Sequence, residues 1–154
     1  VIAPLIGLAF GLLWFLVGAG AVAPPAGPML MAAGGLVFAL AAIRVVRRGR
    51  RPGATFIRTY YVVAVVAELV AIAVAQAWLA GQGRTDLLFP VVGVIVGLHF
   101  IGLWKAIGLT RFLALAAAMV VINLVALTPH LPTPQRAMIS GFGSSAALLL
   151  SAAA

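Results

Sequence analysis

Along this chain, apolar residues run in long blocks instead of alternating with polar ones, and the blocks are parted by short links rich in proline, glycine and arginine. Six such blocks cover about 1–18, 28–46, 56–80, 87–104, 112–127 and 137–154. A helix needs roughly 17 to 25 mostly apolar residues to cross the hydrocarbon core, the short end being met by less tilt or a thinner bilayer. Strands of a membrane barrel would be about 10 residues long and would alternate. The pattern therefore predicts an all-α polytopic membrane protein, a bundle of six transmembrane helices forming one domain over 1–154. The links Pro24-Pro-Ala-Gly-Pro28, Pro52-Gly53 and Gly81-Gln-Gly-Arg-Thr-Asp86 read as turns.

Composition agrees. The chain is 65% hydrophobic and 8% charged, against about 45–50% and 25% for soluble domains. A net charge of +8 would suit a nucleic-acid partner if it were spread over a folded surface. Here the arginines crowd into one junction, which is a topology signal, so membrane lipids and not nucleic acid are the expected partner. The first block resembles the apolar core of a signal peptide. Without a basic segment ahead of it, and with Pro24 directly after Ala21-Val-Ala23, it is expected to be retained. There are no cysteines, which removes disulfides and thiolate chemistry.

Arg44, Arg47, Arg48, Arg50, Arg51 and Arg58 lie at the second junction, and Lys105 and Arg111 at the fourth. Arg84 and Arg136 lie on the other side. The positive-inside rule then puts both basic junctions and both termini in the cytoplasm, with a bacterial inner membrane as the expected location. Arg47, Arg48, Arg50 and Arg51 are also candidates for anionic lipid headgroups. Trp14 and Trp78 are expected at the outer interface, and Tyr60, Tyr61 and Trp104 at the inner one, as aromatic anchors.

A weak internal repeat is visible. Pro4-Leu-Ile-Gly7-Leu-Ala-Phe-Gly11-Leu12 and Pro90-Val-Val-Gly93-Val-Ile-Val-Gly97-Leu98 share a proline followed by two glycines at equal spacing. Three helices per repeat would make two inverted halves, an arrangement found among transporters. Read more simply, Gly7/Gly11 and Gly93/Gly97 are helix-packing grooves, serving this chain, a partner helix or a second copy. Gly141-Phe-Gly143-Ser144-Ser145 either packs in the same way or loosens the sixth helix.

Ionisable residues inside a membrane are expensive and tend to be functional. Glu68 lies near the middle of the third block and His99 near the middle of the fourth. At a rise of about 1.5 Å per residue they stand roughly 13 Å and 9 Å above the basic side, on antiparallel neighbours. They are expected to pair, with Asn123 and Gln76 as further members of one polar network. Tyr61, Ala64, Glu68, Ala71, Ala75 and Gln76 should face the bundle interior. Three roles are open for the pair: a structural pin, a proton or cation relay, or capture of a ligand. His130, in a proline-rich link, reads as solvated.

Catalysis finds little support. One His and one Glu in the membrane region do not make a metal site, no GxSxG element is present, and a haem would need Met29, Met31, Met119 or Met138 as its second ligand. No catalytic residue, metal or cofactor is therefore assigned.

Glu68 followed by Phe89-Pro90 and Val96-Gly97-Leu98-His99-Phe100-Ile101-Gly102-Leu103 resembles a segment of small bacterial multi-helix integral membrane proteins. In these a Gly-Leu-His-Phe core precedes a Pro-Leu pair; Gly102 stands at that proline. The resemblance covers about a third of the chain; it implies a six-helix-type bundle and marks His99 and Glu68, without implying an activity. Two functions are carried forward. One is a small proton-coupled transporter or channel-like protein using the Glu68/His99 pair, and the other is a non-catalytic accessory subunit of a membrane complex.

Overall fold

The computed structural model describes residues 2–48 and 57–153. Within them lie six helices: α1 (Ile2–Gly20), α2 (Ala26–Arg48), α3 (Arg58–Gly81), α4 (Leu88–Ile107), α5 (Arg111–Ala126) and α6 (Thr133–Ala153). A single 3-10 turn, Thr85–Leu87, leads into α4. Three stretches are long and apolar enough to cross a membrane: Ala26–Arg47, Arg58–Gly81 and Thr85–Ile107. Leu5–Gly20 and Arg111–Ala126 are apolar but shorter.

The sixth helix falls outside that group for a reason visible in the packing. Arg136, Ser140, Ser144 and Ser145 of α6 are all buried, so these four polar residues face protein and not the surroundings. The helix is the hub of the bundle. It packs along α1 and α5, touches α4, and grazes α2. In spatial order the helices run α2, α1, α6, α5, α4, α3, so α2 leans chiefly on α1 and α3 on α4. Among the described residues α2 and α3 share no extensive contact, whereas α5 and α6 pack closely. The two sets of three consecutive helices are therefore not packed alike.

Small residues allow the closest approaches. A Cβ placed on Gly141 of α6 would run into the backbone of Gly18 on α1, and would stand 2.8 Å from the Trp14 carbonyl oxygen. This contact, where glycines let backbones meet without a hydrophobic drive, gives the α1/α6 seam its tightness. The Gly141-Phe-Gly143 stretch thus packs and does not loosen α6. Trp14 belongs to the core with Val96, Leu115, Met119 and Leu148 and meets Phe89 edge-on at 6.3 Å. Its expected place as an interfacial anchor is corrected accordingly: a 3% exposed indole is a packing residue. Trp78, at 63% exposed, does face outward.

The outer surface is apolar. Leu36 and Leu40 on α2, and Val63, Val66, Val70 and Val74 on α3, are all exposed. A continuous coat of this kind suits acyl chains as solvent, since soluble proteins rarely expose apolar patches beyond a few hundred Å².

Candidate functional site

Helices α3 and α4 are brought together by a contact between small residues. A Cβ on Gly102 would lie 2.5 Å from the Ala64 methyl carbon, so the absence of a side chain sets the separation. Glu68 is one turn beyond Ala64 on α3, and His99 one turn before Gly102 on the antiparallel α4. The register therefore carries the two ionisable groups to the same level. Glu68 Oε2 stands 3.2 Å from His99 Nδ1, with side chains 15% and 10% exposed. The pair meets at ion-pair distance without an aligned hydrogen bond. At the basic end the same two helices are tied by Ile57 N–H donating to the Ala106 carbonyl at 2.8 Å.

The pair is not sealed. It lines a cleft of about 700 Å³, within the size range of small-molecule sites. One wall is α1, with Ile6, Gly7 and Phe10, and the opposite wall is α3, with Tyr61, Val65 and Leu69. The floor comes from α4, α5 and α6. Gly7 meets nothing within 4 Å of the position its Cβ would take; it widens the cleft where Gly11 is filled by Phe38 and Leu148.

The cleft runs from the pair to the basic end of the bundle, where Ile107 and Arg111 line it. Gly108 closes α4 with a left-handed φ of 76°, a conformation that side chains resist. Only two residues then separate it from Arg111, the first residue of α5. Between the two polar stations lie aromatic rings. His99 meets Phe100 edge-on at 5.8 Å, Phe100 stacks on Phe112 at 6.0 Å, and the Arg111 guanidinium lies 5.6 Å from the centre of Phe112.

Asn123 and Gln76, expected in the same network, are elsewhere. Asn123 is fully buried among Met119, Ser140 and Ser144. Its Nδ2 donates to the Met119 carbonyl at 2.8 Å and to Ser144 Oγ at 2.9 Å, and its Oδ1 accepts from Ser140 Oγ at 2.6 Å. The correction has a simple cause: Asn123 is 12 residues, or about 18 Å, along α5 from Arg111, well beyond the cleft. Gln76 is exposed, since a fifth step along α3 from Ala71 rotates it off the face carrying Glu68.

The glycine pairs split likewise. Gly93 is covered by the Asn123 side chain, and Gly97 by Val120 and Met119, so α5 occupies that groove. Of the arginines considered for lipid headgroups, Arg47 is exposed at the end of α2, the Arg48 side chain is not among those described, and Arg50 and Arg51 lie outside the described residues. His130 is exposed.

Sequence reasoning passed over two features. In the sequence Arg136 bears only on topology; in the fold its Nη1 donates to Asp86 at 3.2 Å and its other nitrogens to the carbonyls of Leu131, Thr128 and Pro129. Both Asp86 and Arg136 stand in links predicted for the same side, so their meeting was open to inference. Arg111, likewise a topology residue in the sequence, lines the cleft, and nothing in its immediate sequence marks it. Among the described residues no group of three or more His, Cys, Asp or Glu is placed to hold a metal ion. Comparison with known protein families, curated proteins and solved structures finds no match to this chain.

Proposed function

We propose that this protein is a small proton-coupled transporter, a six-span bundle of a bacterial inner membrane with both termini in the cytoplasm. The observation that carries the reading is the position of the Glu68/His99 pair at the inner end of a cleft open toward the basic side. A purely structural pin would be expected inside close packing. A relay needs access, because a carboxylate and an imidazole exchange protons only with groups that reach them.

In this scheme the solute enters between α1 and α3 and lies against the pair. Passage to the other side is barred by the Asn123, Ser140 and Ser144 cluster, all fully buried, and by Trp14 against Phe89. That arrangement corresponds to an inward-open state, closed on the far side, and favours a transporter over an open channel. Helix α3, attached chiefly to α4, is the element whose displacement would expose the pair to the far side.

The test is proton flux in reconstituted vesicles with a pH-sensitive dye inside, screened against small organic anions and amphiphiles. Solute-dependent flux should fall to the level of empty vesicles in Glu68→Gln. Equal flux in that variant would remove the mechanism. The accessory-subunit reading draws less support, because Gly11, Gly93 and Gly97 are already filled from within the chain.

A further inference from the structure

The chain has ten basic residues and two acidic ones. Both acids are engaged: Glu68 with His99, and Asp86 with Arg84 and Arg136 at the other end of the bundle. Among the described residues neither acidic side chain is therefore paired with Arg111. Its Nε is buried without a hydrogen-bond partner, although the side chain lines the cleft and rests on the Phe112 ring. A buried N–H with no acceptor is unfavourable; the half-buried guanidinium that carries it faces the cleft, and its fork of N–H groups matches a phosphate.

The rest of the cleft is suited to hydrocarbon. Ile6, Phe10, Val65, Leu69 and Leu103 line it together with Arg111 and the pair, and Gly7 leaves its α1 wall flat. It lies at the end of the bundle that carries the basic junctions, where an anionic leaflet supplies phosphates.

We propose that the cleft is a binding site for an anionic phospholipid, its phosphate held by Arg111 and one acyl chain lying along the α1/α3 walls toward Glu68 and His99. This deepens the transport reading by giving the cleft an amphiphilic anion as its occupant, and it rests on that reading only for the step that follows binding. The charge of the site selects against zwitterionic lipid. The apolar walls select against a free anion.

Delipidated full-length protein in detergent is titrated with phosphatidylglycerol bearing a fluorescent acyl chain, and binding is read by anisotropy. Saturable binding is expected, displaced by unlabelled phosphatidylglycerol and at least about tenfold less well by phosphatidylcholine. Arg111→Gln and, independently, Gly7→Leu should each weaken it by about tenfold or more, while Lys105→Gln, at an exposed site, should not. Should Arg111→Gln fail to fold, Gly7→Leu carries the test, since its side chain meets open space.

Equal displacement by phosphatidylcholine, or binding unchanged in both cleft variants, would overturn the proposal. So would displacement by inorganic phosphate or by decanoate at concentrations where phosphatidylglycerol fails, which would make the site one for a free anion or a fatty acid. Glu68→Gln separates the two claims. Retained lipid binding with unaltered proton flux in that variant sinks the transport reading alone, and absent lipid binding in a protein with Glu68-dependent flux sinks this one alone.

Discussion

Ala64 packs into the gap left by Gly102, and one helical turn away on each side Glu68 and His99 stand 3.2 Å apart. The small-residue contact and the polar pair are one device, because the first sets the separation that the second requires. Gly102→Leu should drive α3 off α4 and break the pair. Infrared spectra of the reconstituted variant should then show the carboxyl absorption of Glu68 displaced from its wild-type position, and an unmoved band would show that the pair does not depend on this contact.

Within the pair itself, removing one partner leaves the other partly buried with no counterpart. Glu68→Gln and His99→Ala should each destabilise the protein, and a double-mutant cycle should return a coupling of about 0.5–3 kcal/mol. Unfolding in mixed micelles measures it. Additive effects would mean that proximity carries no energetic link.

Asn123 offers a contrasting case, a polar group with every neighbour satisfied. Asn123→Ala would orphan the hydroxyls of Ser140 and Ser144, each fully buried. Interhelical hydrogen bonds in membranes are worth about 0.6 kcal/mol on average and up to roughly 1.7, so losing the two that join Asn123 to α6 should lower stability by about 1–3 kcal/mol. Since the cluster lies outside the cleft, phosphatidylglycerol binding should stay as in the wild type.

Two glycines predict opposite outcomes for the same substitution. Gly141→Val forces a side chain against the Gly18 backbone, where neither helix can yield without separating, and overpacking of this kind costs about 1–3 kcal/mol or more. Gly7→Val meets open space and should leave the melting temperature unchanged. Thermal unfolding of the two variants side by side decides the point.

Arg136 holds the α5/α6 link through three carbonyls and reaches Asp86 in the α3/α4 link. Arg136→Ala should destabilise the protein by about 1.5–3 kcal/mol, as expected for hydrogen bonds from a charged donor. Arg136→Lys should recover little, because an ammonium cannot span the same set of acceptors. Arg84, 54% exposed in its own contact with Asp86, should be replaceable without measurable effect. Added salt should leave the Arg136 effect largely intact, as buried pairs are poorly screened.

Much of this architecture was legible along the chain. Block length and uniform hydrophobicity specify helices suited to lipid, because the backbone must satisfy its own hydrogen bonds there. Glu68 and His99 could be paired from depth alone, since antiparallel neighbours joined by a short link must bring equal depths together. What escaped was lateral order. Depth along the membrane normal is a linear count of residues, but which helix faces which depends on side-chain shape around each helix, and six apolar helices have many arrangements of similar hydrophobicity. Thus depth alone groups Asn123 with Glu68 where the fold sets it beside Ser140 and Ser144, puts Trp14 at the surface where the fold buries it, and leaves open whether the groove at Gly93 is filled from within the chain or by a partner.

Sequence alone, then, determined the helical class, the six elements and the level of the two ionisable groups, because each follows from hydrophobic length and from the high energy of an unpaired polar group in hydrocarbon. Tertiary structure alone decided that α6 is the central helix and that α1 and α3 stand apart to leave a cleft ending at Arg111. Those outcomes depend on where glycines allow backbones to touch, a property of paired surfaces that no single helix carries in its own sequence.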